Sequence, residues 1–436
     1  MNISGLSFNA LPPIDLPFRF FICAPLFMIA CAFIIFFFGE PLWLSRWHPG
    51  MLALTHGFTL GFLTLVMMGA LLQLLPVIGG IGIARPRLTA TVSHSLYVFG
   101  VIALISSFLT ANPWLTQSAL VLLSLAFIFY LSAVVWVLVK KMSQGDSINA
   151  FRLAIAAFIA ALALGVMLLA SRSGLTYSFV FVDKHFTDIH AMLGLVGWAS
   201  LLIIGVSFQV LPMFHVAPNM PQYIRKYLPI SLGLLLLGFA FYGSDFMALI
   251  FIAHAIYALS LLYVINQRKR KVPDTSIKYW QLAAISLLVL NVLYFLPDSF
   301  YLVSDNPLSL LLPDKTMLLT AIFIYFNLLS VIQAMLLKIL PFLSYTHLQQ
   351  RCLTDFSAMK HIPHMHEFLN KQHGLILYCL HILSGLTLVA VMVKPSLYLA
   401  LSLLVFVEFT WLLMLMVRCM HLYFSVNQKI NLSNNS

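Results

Sequence analysis

The chain has 436 residues, of which 61% are hydrophobic and only 8% are charged, whereas a soluble domain carries about 25% charged residues. This composition excludes an ordinary soluble fold and indicates an all-α polytopic membrane protein whose main partner is the lipid bilayer. The net charge of +11 does not indicate nucleic-acid binding, because the basic residues lie in short segments between apolar stretches.

Twelve apolar stretches of about 16 or more residues follow one another, and a helix needs about 20 residues to cross a bilayer. The first is too long for a cleavable signal peptide, so we expect it to remain as a span. The seventh is the weakest, because it is short and only "YGSD" separates it from the eighth. The predicted spans 1 to 12 are 17–39, 51–78, 89–110, 115–139, 151–171, 188–214, 228–243, 246–265, 279–299, 315–343, 373–393 and 396–421.

The distribution of Lys and Arg predicts the orientation of these spans. If the N-terminus is cytoplasmic, only 5 of the 24 Lys and Arg residues lie in outside segments and the other 19 lie inside. The five are Arg46, Arg172, Lys184, Lys315 and Lys394. Because positive residues favour the cytoplasmic side, both termini are predicted to be cytoplasmic.

Two sequence marks recur along the chain. "QLLP", "QVLP" and "KILP" end spans 2, 6 and 10 at Pro76, Pro212 and Pro341, and "FRF", "FRL" and "WQL" begin spans 1, 5 and 9. The middle residues of the starting marks, Arg19, Arg152 and Gln281, precede the corresponding prolines by 57, 60 and 60 residues, respectively. Each period contains four spans. The sequence therefore predicts one transmembrane domain, 1–436, built from three pseudo-symmetric four-helix repeats at about 17–140, 150–266 and 278–424.

The threefold arrangement of twelve helices resembles subunit I of the heme-copper oxidases. The stretches "FRFFICAPLF" (18–27), "HPGMLALTHGFTLGFLTLVMMGALLQLLPVIGG" (48–80) and "DIHAMLGLVGWASLLIIGVSFQVLPMF" (188–214) resemble the NnrS family of heme- and copper-containing membrane proteins. The resemblance implies a subunit I-like fold, heme or copper as cofactor, a bacterial inner (cytoplasmic) membrane location and a redox or respiratory-chain partner. Its expected function is nitric-oxide- or respiration-related redox or metal handling.

The chain departs from the oxidases where their oxygen-reducing centre is built. In the oxidases, spans 7 and 10 carry histidine ligands, whereas "LPISLGLLLLGFAFYG" and "MLLTAIFIYFNLLSVIQAMLLKILPFL" contain none here. We therefore do not expect a terminal oxidase.

Four of the 14 histidines lie at or near the predicted outer surface. His56 and His190 lie one to two turns inside spans 2 and 6, which is the outer depth at which the oxidases hold their hemes. Imidazole is a good ligand for heme iron and copper, so we predict His56 and His190 as cofactor ligands. Their neighbouring glycines suit either a flat macrocycle or close helix packing. His48 and His185 are candidate copper ligands or ordinary loop residues.

Glu408 lies near the middle of span 12, and none of the ten aspartates lies as deep. An intramembrane carboxylate is a candidate proton or cation site, and a hydrogen bond between helices is the alternative. Asn291 and Asn327 are its predicted partners. The loop segment "HIPHMHE" (361–367) is either a metal site or a solvated amphipathic turn.

Two other functional classes stay open. Twelve spans with a buried Glu408 also describe a secondary transporter. The absence of histidines from spans 7 and 10 is also compatible with a non-catalytic assembly factor that keeps the fold.

Overall fold

The computed structural model describes residues 12–80, 82–140, 145–173, 184–297, 314–352 and 356–434. Within these ranges the chain is almost entirely helical and contains no β-strand. The long helices in chain order are α1 (Asp15–Phe38), α2 (Pro49–His56, Gly57–Thr64 and Leu65–Gly79), α3 (Pro86–Thr110), α4 (Pro113–Lys140), α5 (Asp146–Arg172), α6 (Lys184–Met192, Leu193–Ser200 and Leu201–His215), α7 (Gln222–Tyr242), α8 (Met247–Asn266), α9 (Thr275–Phe295), α10 (Lys315–Ile322, Phe323–Leu329 and Ser330–Arg351), α11 (Lys371–Val393) and α12 (Tyr398–Asn434). Short helices occupy Glu40–Leu44, Gly243–Phe246, Phe356–His361, Met365–Phe368 and Pro395–Leu397.

Eleven segments of the described chain are long and apolar enough to cross a membrane, so the prediction of an all-α polytopic membrane protein is confirmed. One of the eleven, Gln222–Asn266, has 45 residues and contains both α7 and α8. These helices have 21 and 20 residues, and each is about 30 Å long. Gly243 between them has φ +69°, a backbone conformation that favours glycine. If α7 and α8 each cross the membrane, the chain has twelve crossings. This count stays a prediction.

Three helices are more deeply buried than the rest. In the most apolar window of α2, α6 and α10, 78%, 67% and 78% of the residues are buried, against at most 56% in any other span. Contacts join these helices pairwise: Trp198 Nε1 of α6 donates to Thr64 Oγ1 of α2 at 3.1 Å, and Phe58 of α2 lies beside Tyr325 of α10. The three helices therefore form the centre of the bundle.

The other long helices surround this centre in chain order. Packing contacts lead from α1 to α3, α4, α5, α7, α8, α9, α11 and α12, and α12 packs against α1 again. Ser402 Oγ of α12 donates to the carbonyl of Ala32 in α1 at 2.8 Å, which closes the ring. Apolar side chains on the outside of this ring suit contact with lipid, since lipid is as apolar as they are.

Each of the three central helices contains a π-helical segment: Gly57–Thr64, Leu193–Ser200 and Phe323–Leu329. π-helical turns are rare and frequently lie at functional sites. In each helix the proline of the recurring motif lies eleven residues after the start of the α-helical segment that follows: Pro76 after Leu65, Pro212 after Leu201 and Pro341 after Ser330. The spacing between the π-helical segment and the proline is thus the same in all three central helices.

Candidate functional site

His56 and His190, the predicted cofactor ligands, lie side by side between α2 and α6. Their ring centroids are 6.4 Å apart and their planes differ by 20°. Both side chains are half-buried, and Phe108 of α3 packs against His56 with a centroid distance of 5.1 Å. The fold therefore brings together two imidazoles that are remote in sequence.

Backbone carbonyls determine which nitrogen of each ring is available. His56 Nδ1 lies 2.8 Å from the Leu52 carbonyl oxygen, and His190 Nδ1 lies 2.9 Å from that of Ala161 in α5. Because a carbonyl only accepts, each Nδ1 must carry the hydrogen. The Nε2 atom of each neutral ring is then left with its lone pair, which is the usual arrangement of a histidine that binds a metal.

The spacing of the two rings matches two ligands of one metal ion. Metal–nitrogen bonds of about 2.0–2.1 Å, plus roughly 1.1 Å from each ring centre to its nitrogen, put the centroids of two opposed imidazole ligands about 6.3 Å apart. The separation of His56 and His190 is 6.4 Å. The two nearly parallel imidazoles therefore lie at a separation that suits one iron or copper ion between them.

The glycines near these histidines divide into two kinds. A Cβ on Gly57 would meet Cys31 Sγ at 2.4 Å, and one on Gly61 would meet Phe27 at 2.6 Å. A Cβ on Gly197 would meet the Cβ of Ala157 at 2.6 Å, whereas one on Gly194 would meet nothing within 4 Å. Three of the four glycines therefore serve close helix packing, and only Gly194 borders open space next to His190.

His48 and His185, the predicted copper ligands, have local hydrogen-bond partners. His48 Nδ1 accepts from the Gly50 N–H at 3.1 Å and caps the first turn of α2. His185 Nε2 lies 3.2 Å from the carbonyl oxygen of Ala240 in α7. These contacts suit ordinary structural roles, and copper binding at these two residues stays a prediction.

Glu408 lies in a buried hydrogen-bond network. Its Oε1 accepts from Gln333 Nε2 at 2.7 Å and lies 2.8 Å from His381 Nδ1. Tyr325 OH donates to Oε2. Glu408, His381 and Gln333 are all 0% exposed. Within the described part of the chain, the carboxyl group of Glu408 is therefore surrounded by protein atoms.

The network joins all four helices of the third predicted repeat. Tyr279 of α9 donates to Gln333 Oε1 of α10 at 2.5 Å, while Ser330 Oγ of α10 lies 2.8 Å from His381 Nε2 of α11. Glu408 contributes the carboxylate from α12. Polar contacts that link helices inside a membrane add to their association, so this network stabilises α9–α12 against one another.

The predicted asparagine partners of Glu408 are wrong. Asn291 Nδ2 donates to the carbonyl of Phe251, and Asn327 Nδ2 donates to that of Ala283. Sequence reasoning overlooked Gln333 and Tyr325, although a glutamine within an apolar span is itself an unusual polar residue. The helix faces that meet Glu408 depend on how α10 and α11 are rotated, and hydropathy does not encode this rotation.

The other membrane histidines differ from the His56–His190 pair. His254 Nδ1 lies 2.8 Å from the Ile250 carbonyl oxygen and its Nε2 lies 3.0 Å from Ser200 Oγ. Both nitrogens of His381 also have polar partners in the network of Glu408. Neither ring therefore offers an uncommitted nitrogen for an axial ligand.

A charged cluster lies at the predicted cytoplasmic end of α9 and α10. Lys338, the lysine of "KILP", lies 2.5 Å from Asp274 Oδ2, and His215 Nδ1 lies 3.6 Å from the same atom. Asp274 also caps α9 by accepting from the Ser276 N–H at 3.0 Å. Burial alone would raise the pKa of Asp274, but the hydrogen bond from His215 and the charge of Lys338 outweigh it and hold that pKa below its usual value.

Within the described ranges, no group of three or more His, Cys, Asp and Glu side chains is placed to hold one metal ion. The "HIPHMHE" segment, which lies within these ranges, therefore forms no such group.

Fold and site together define an integral membrane protein with three central helices that each contain a π-helical segment, a half-buried histidine pair and a fully buried polar network. No protein-family model matches the chain, and no curated protein matches it.

Proposed function

We propose that this chain is a heme- or copper-binding membrane protein in which His56 and His190 are ligands of one metal centre. The observation that carries the proposal is the pair itself, with Nδ1 of each ring bound to a backbone carbonyl and a centroid separation that matches two imidazoles on one ion. A bound heme iron or copper would supply one-electron redox chemistry, which suits nitric-oxide- or respiration-related electron or metal handling.

The residues around the pair would hold the metal in place and limit water. The Leu52 and Ala161 carbonyls fix the ring orientations, and fixed second contacts of this kind raise metal affinity. Phe108 covers one side of His56. The guanidinium of Arg172 lies 5.2 Å from the Phe108 ring centre and provides a cation beside the site that suits an anionic substituent of a bound macrocycle.

Several features of the fold support the resemblance to NnrS and to heme-copper oxidase subunit I. Nine outer helices in the described chain surround three inner ones, and each inner helix repeats the same π-helical segment and proline spacing. Three four-helix repeats at about 17–140, 150–266 and 278–424 account for this regularity. A location in the bacterial inner membrane, cytoplasmic termini and a respiratory-chain redox partner belong to the same proposal.

The first test is an absorption spectrum of the purified protein from heme-replete cells, oxidised and then reduced, with a pyridine hemochrome assay and metal analysis. The expected result is a stoichiometric heme or copper signal that His56→Ala or His190→Ala abolishes. His421→Ala is the matched control, because His421 is an exposed histidine at the predicted cytoplasmic end of α12, and it should retain the signal. A metal-free, colourless preparation, or a signal insensitive to both ligand variants, would overturn the assignment.

A second candidate function, proton-coupled transport, is favoured by the buried contact between Glu408 and His381. An intramembrane carboxyl group beside an imidazole is a common element of proton relays. Reconstitution in liposomes with an internal pH dye tests it: proton movement driven by a substrate gradient should disappear in Glu408→Gln. Wild-type liposomes that move no protons with any substrate tested would count against transport.

A further inference from the structure

A cavity of about 620 Å³ lies between the three central helices. Its described lining begins two residues after the end of the π-helical segment in each of them, at Val66 in α2, Leu202 in α6 and Val331 in α10. From there it extends towards the predicted cytoplasmic ends of the helices, where Phe214 and Thr346 line it. The repeated boundary indicates a cavity on the common axis of the three helices.

One face of each central helix is accessible along this cavity. On α6, the lining residues Val206 and Met213 are partly exposed and Gln209 is exposed, whereas Ser207 is 0% exposed. Spacings of three and four residues place the accessible side chains on one helix face. The same spacings separate the partly exposed lining residues of α2 and α10, which are Ala70, Leu74, Val77, Ile339, Phe342 and Thr346. The wall therefore leaves room for water.

The mouth of the cavity lies among polar side chains at the predicted cytoplasmic ends of α5 and α7. Asp146 and Arg225 line it, form an ion pair and have side chains that are 30% and 31% exposed. Asn219 also lines the mouth and is exposed. Within the described chain, the nine outer helices form a closed ring around the cavity. The mouth therefore faces water rather than lipid.

The three π-helical segments pack against one another at the opposite end of the cavity. Trp198 Nε1 of α6 donates to Thr64 Oγ1 of α2 at 3.1 Å. The ring centroids of Phe58 in α2 and Tyr325 in α10 are 6.2 Å apart, and the segments of α6 and α10 are also in contact. All four side chains are buried. These contacts join all three pairs of central helices at the level that separates the cavity from His56.

We propose that the cavity is a vestibule that small water-soluble molecules enter from the predicted cytoplasmic side, and that the three π-helical segments close its other end as a plug. A vestibule of this kind is the open half of a path across the membrane. The proposal does not depend on the metal site or on the second candidate function, because His56, His190 and Glu408 do not line the cavity.

The test is the reaction of single introduced cysteines with a membrane-impermeant methanethiosulfonate, added to intact cells or to inverted membrane vesicles. Lys429→Cys and Glu40→Cys mark the two sides, since both residues are exposed and lie at the predicted cytoplasmic and outer ends of the bundle. Val206→Cys and Gln209→Cys on the cavity wall should be labelled from the side that labels Lys429→Cys and not from the other. Mass spectrometry of the labelled peptides distinguishes the native cysteines.

Two buried positions on α6 are the matched controls. Ser207→Cys follows Val206 directly but is 0% exposed and outside the described lining, and Ala199→Cys lies within the plug. Both should stay unlabelled from either side. Wall cysteines that are unlabelled from the side of Lys429→Cys, or labelled no more than Ser207→Cys, would overturn the vestibule.

The plug is tested by truncating the side chains that join its segments. Phe58→Ala or Trp198→Ala should let the reagent reach Val206→Cys from the side of Glu40→Cys. Phe251→Ala truncates an aromatic residue between α8 and α9 and should leave that side closed. Thermal unfolding checks that each variant remains folded. Labelling of Val206→Cys from the side of Glu40→Cys without any truncation, or no such labelling in folded Phe58→Ala and Trp198→Ala, would overturn the plug.

Discussion

His381 Nδ1 lies 2.8 Å from Glu408 Oε1, and neither side chain is exposed. The surrounding partners accommodate one shared proton in two arrangements. An ionised Glu408 accepts from a protonated His381, whose Nε2 donates to Ser330; alternatively, a neutral Glu408 donates to Nδ1 while Nε2–H still donates to Ser330. Both arrangements leave the pair with no net charge, which is the state that a membrane interior favours.

Replacing Glu408 by Leu should destabilise the protein strongly. The change leaves the donors of Gln333, His381 and Tyr325 without their acceptor, and breaking a buried pair by removing one partner costs about 3–5 kcal/mol. Glu408→Gln keeps an acceptor oxygen and should cost less. Thermal unfolding in nanodiscs measures both.

Glu40→Gln is the matched control for Glu408→Gln, because Glu40 is exposed in the connection between α1 and α2. Its unfolding temperature should stay close to that of the wild type. If Glu408→Leu unfolded at the same temperature as Glu40→Gln, the network would contribute nothing to stability.

The loss of cofactor in His56→Ala, His190→Ala and the double variant should be non-additive. Two residues that hold the same ion act as a unit, so the double variant should lose little more metal or heme than either single variant. Metal analysis and the hemochrome assay on equal amounts of folded protein give the three values. Independent, multiplying losses would indicate two separate sites.

Asp274 should make the stability depend on pH. Its folded-state pKa lies below its ordinary value of 3.8, so its contacts with His215 and Lys338 stabilise the protein fully above that value. The contribution is lost as the pH falls from about 4 towards the lower pKa of the folded state. A hydrogen bond to a charged group contributes roughly 1.5–3 kcal/mol.

The variant for this prediction is Asp274→Asn, since asparagine keeps the N-terminal cap of α9 but not the charge. It should unfold at a lower temperature than the wild type at pH 6, and the difference should shrink towards pH 3. A difference that stayed constant between these values would contradict the role of the carboxylate charge.

Two glycines of α6 should respond differently to the same substitution. Gly197→Ala puts a methyl group 2.6 Å from the Cβ of Ala157, and overpacking of this kind typically costs about 1–3 kcal/mol. Gly194→Ala meets open space and should be neutral or slightly stabilising, because alanine favours the helix by about 1 kcal/mol. Thermal unfolding of the pair tests this, and equal effects would contradict the packing of α6 against α5.

Much of the architecture could be predicted from the sequence because hydropathy reports directly on the transfer of each segment into lipid. The apolar stretches predicted the helices, and the depth of His56 and His190 in spans 2 and 6 already suggested a common level. The π-helical segments were not predictable, since a run such as "GFTLGFLT" (57–64) has the same composition as an ordinary apolar helix.

The sequence by itself determined that this is an all-α membrane protein, that its polar groups are few, and that Glu408 lies within a span. Only the tertiary structure decided which of those groups meet. Tyr325 and Glu408 are 83 residues apart, and their contact depends on the order of the outer helices and on the rotation of α10 and α12. The apolar pattern does not specify these rotations, because in lipid both faces of a helix are apolar. The hydrogen bonds and close glycine contacts between helices specify them, and these are properties of pairs of segments rather than of either segment alone.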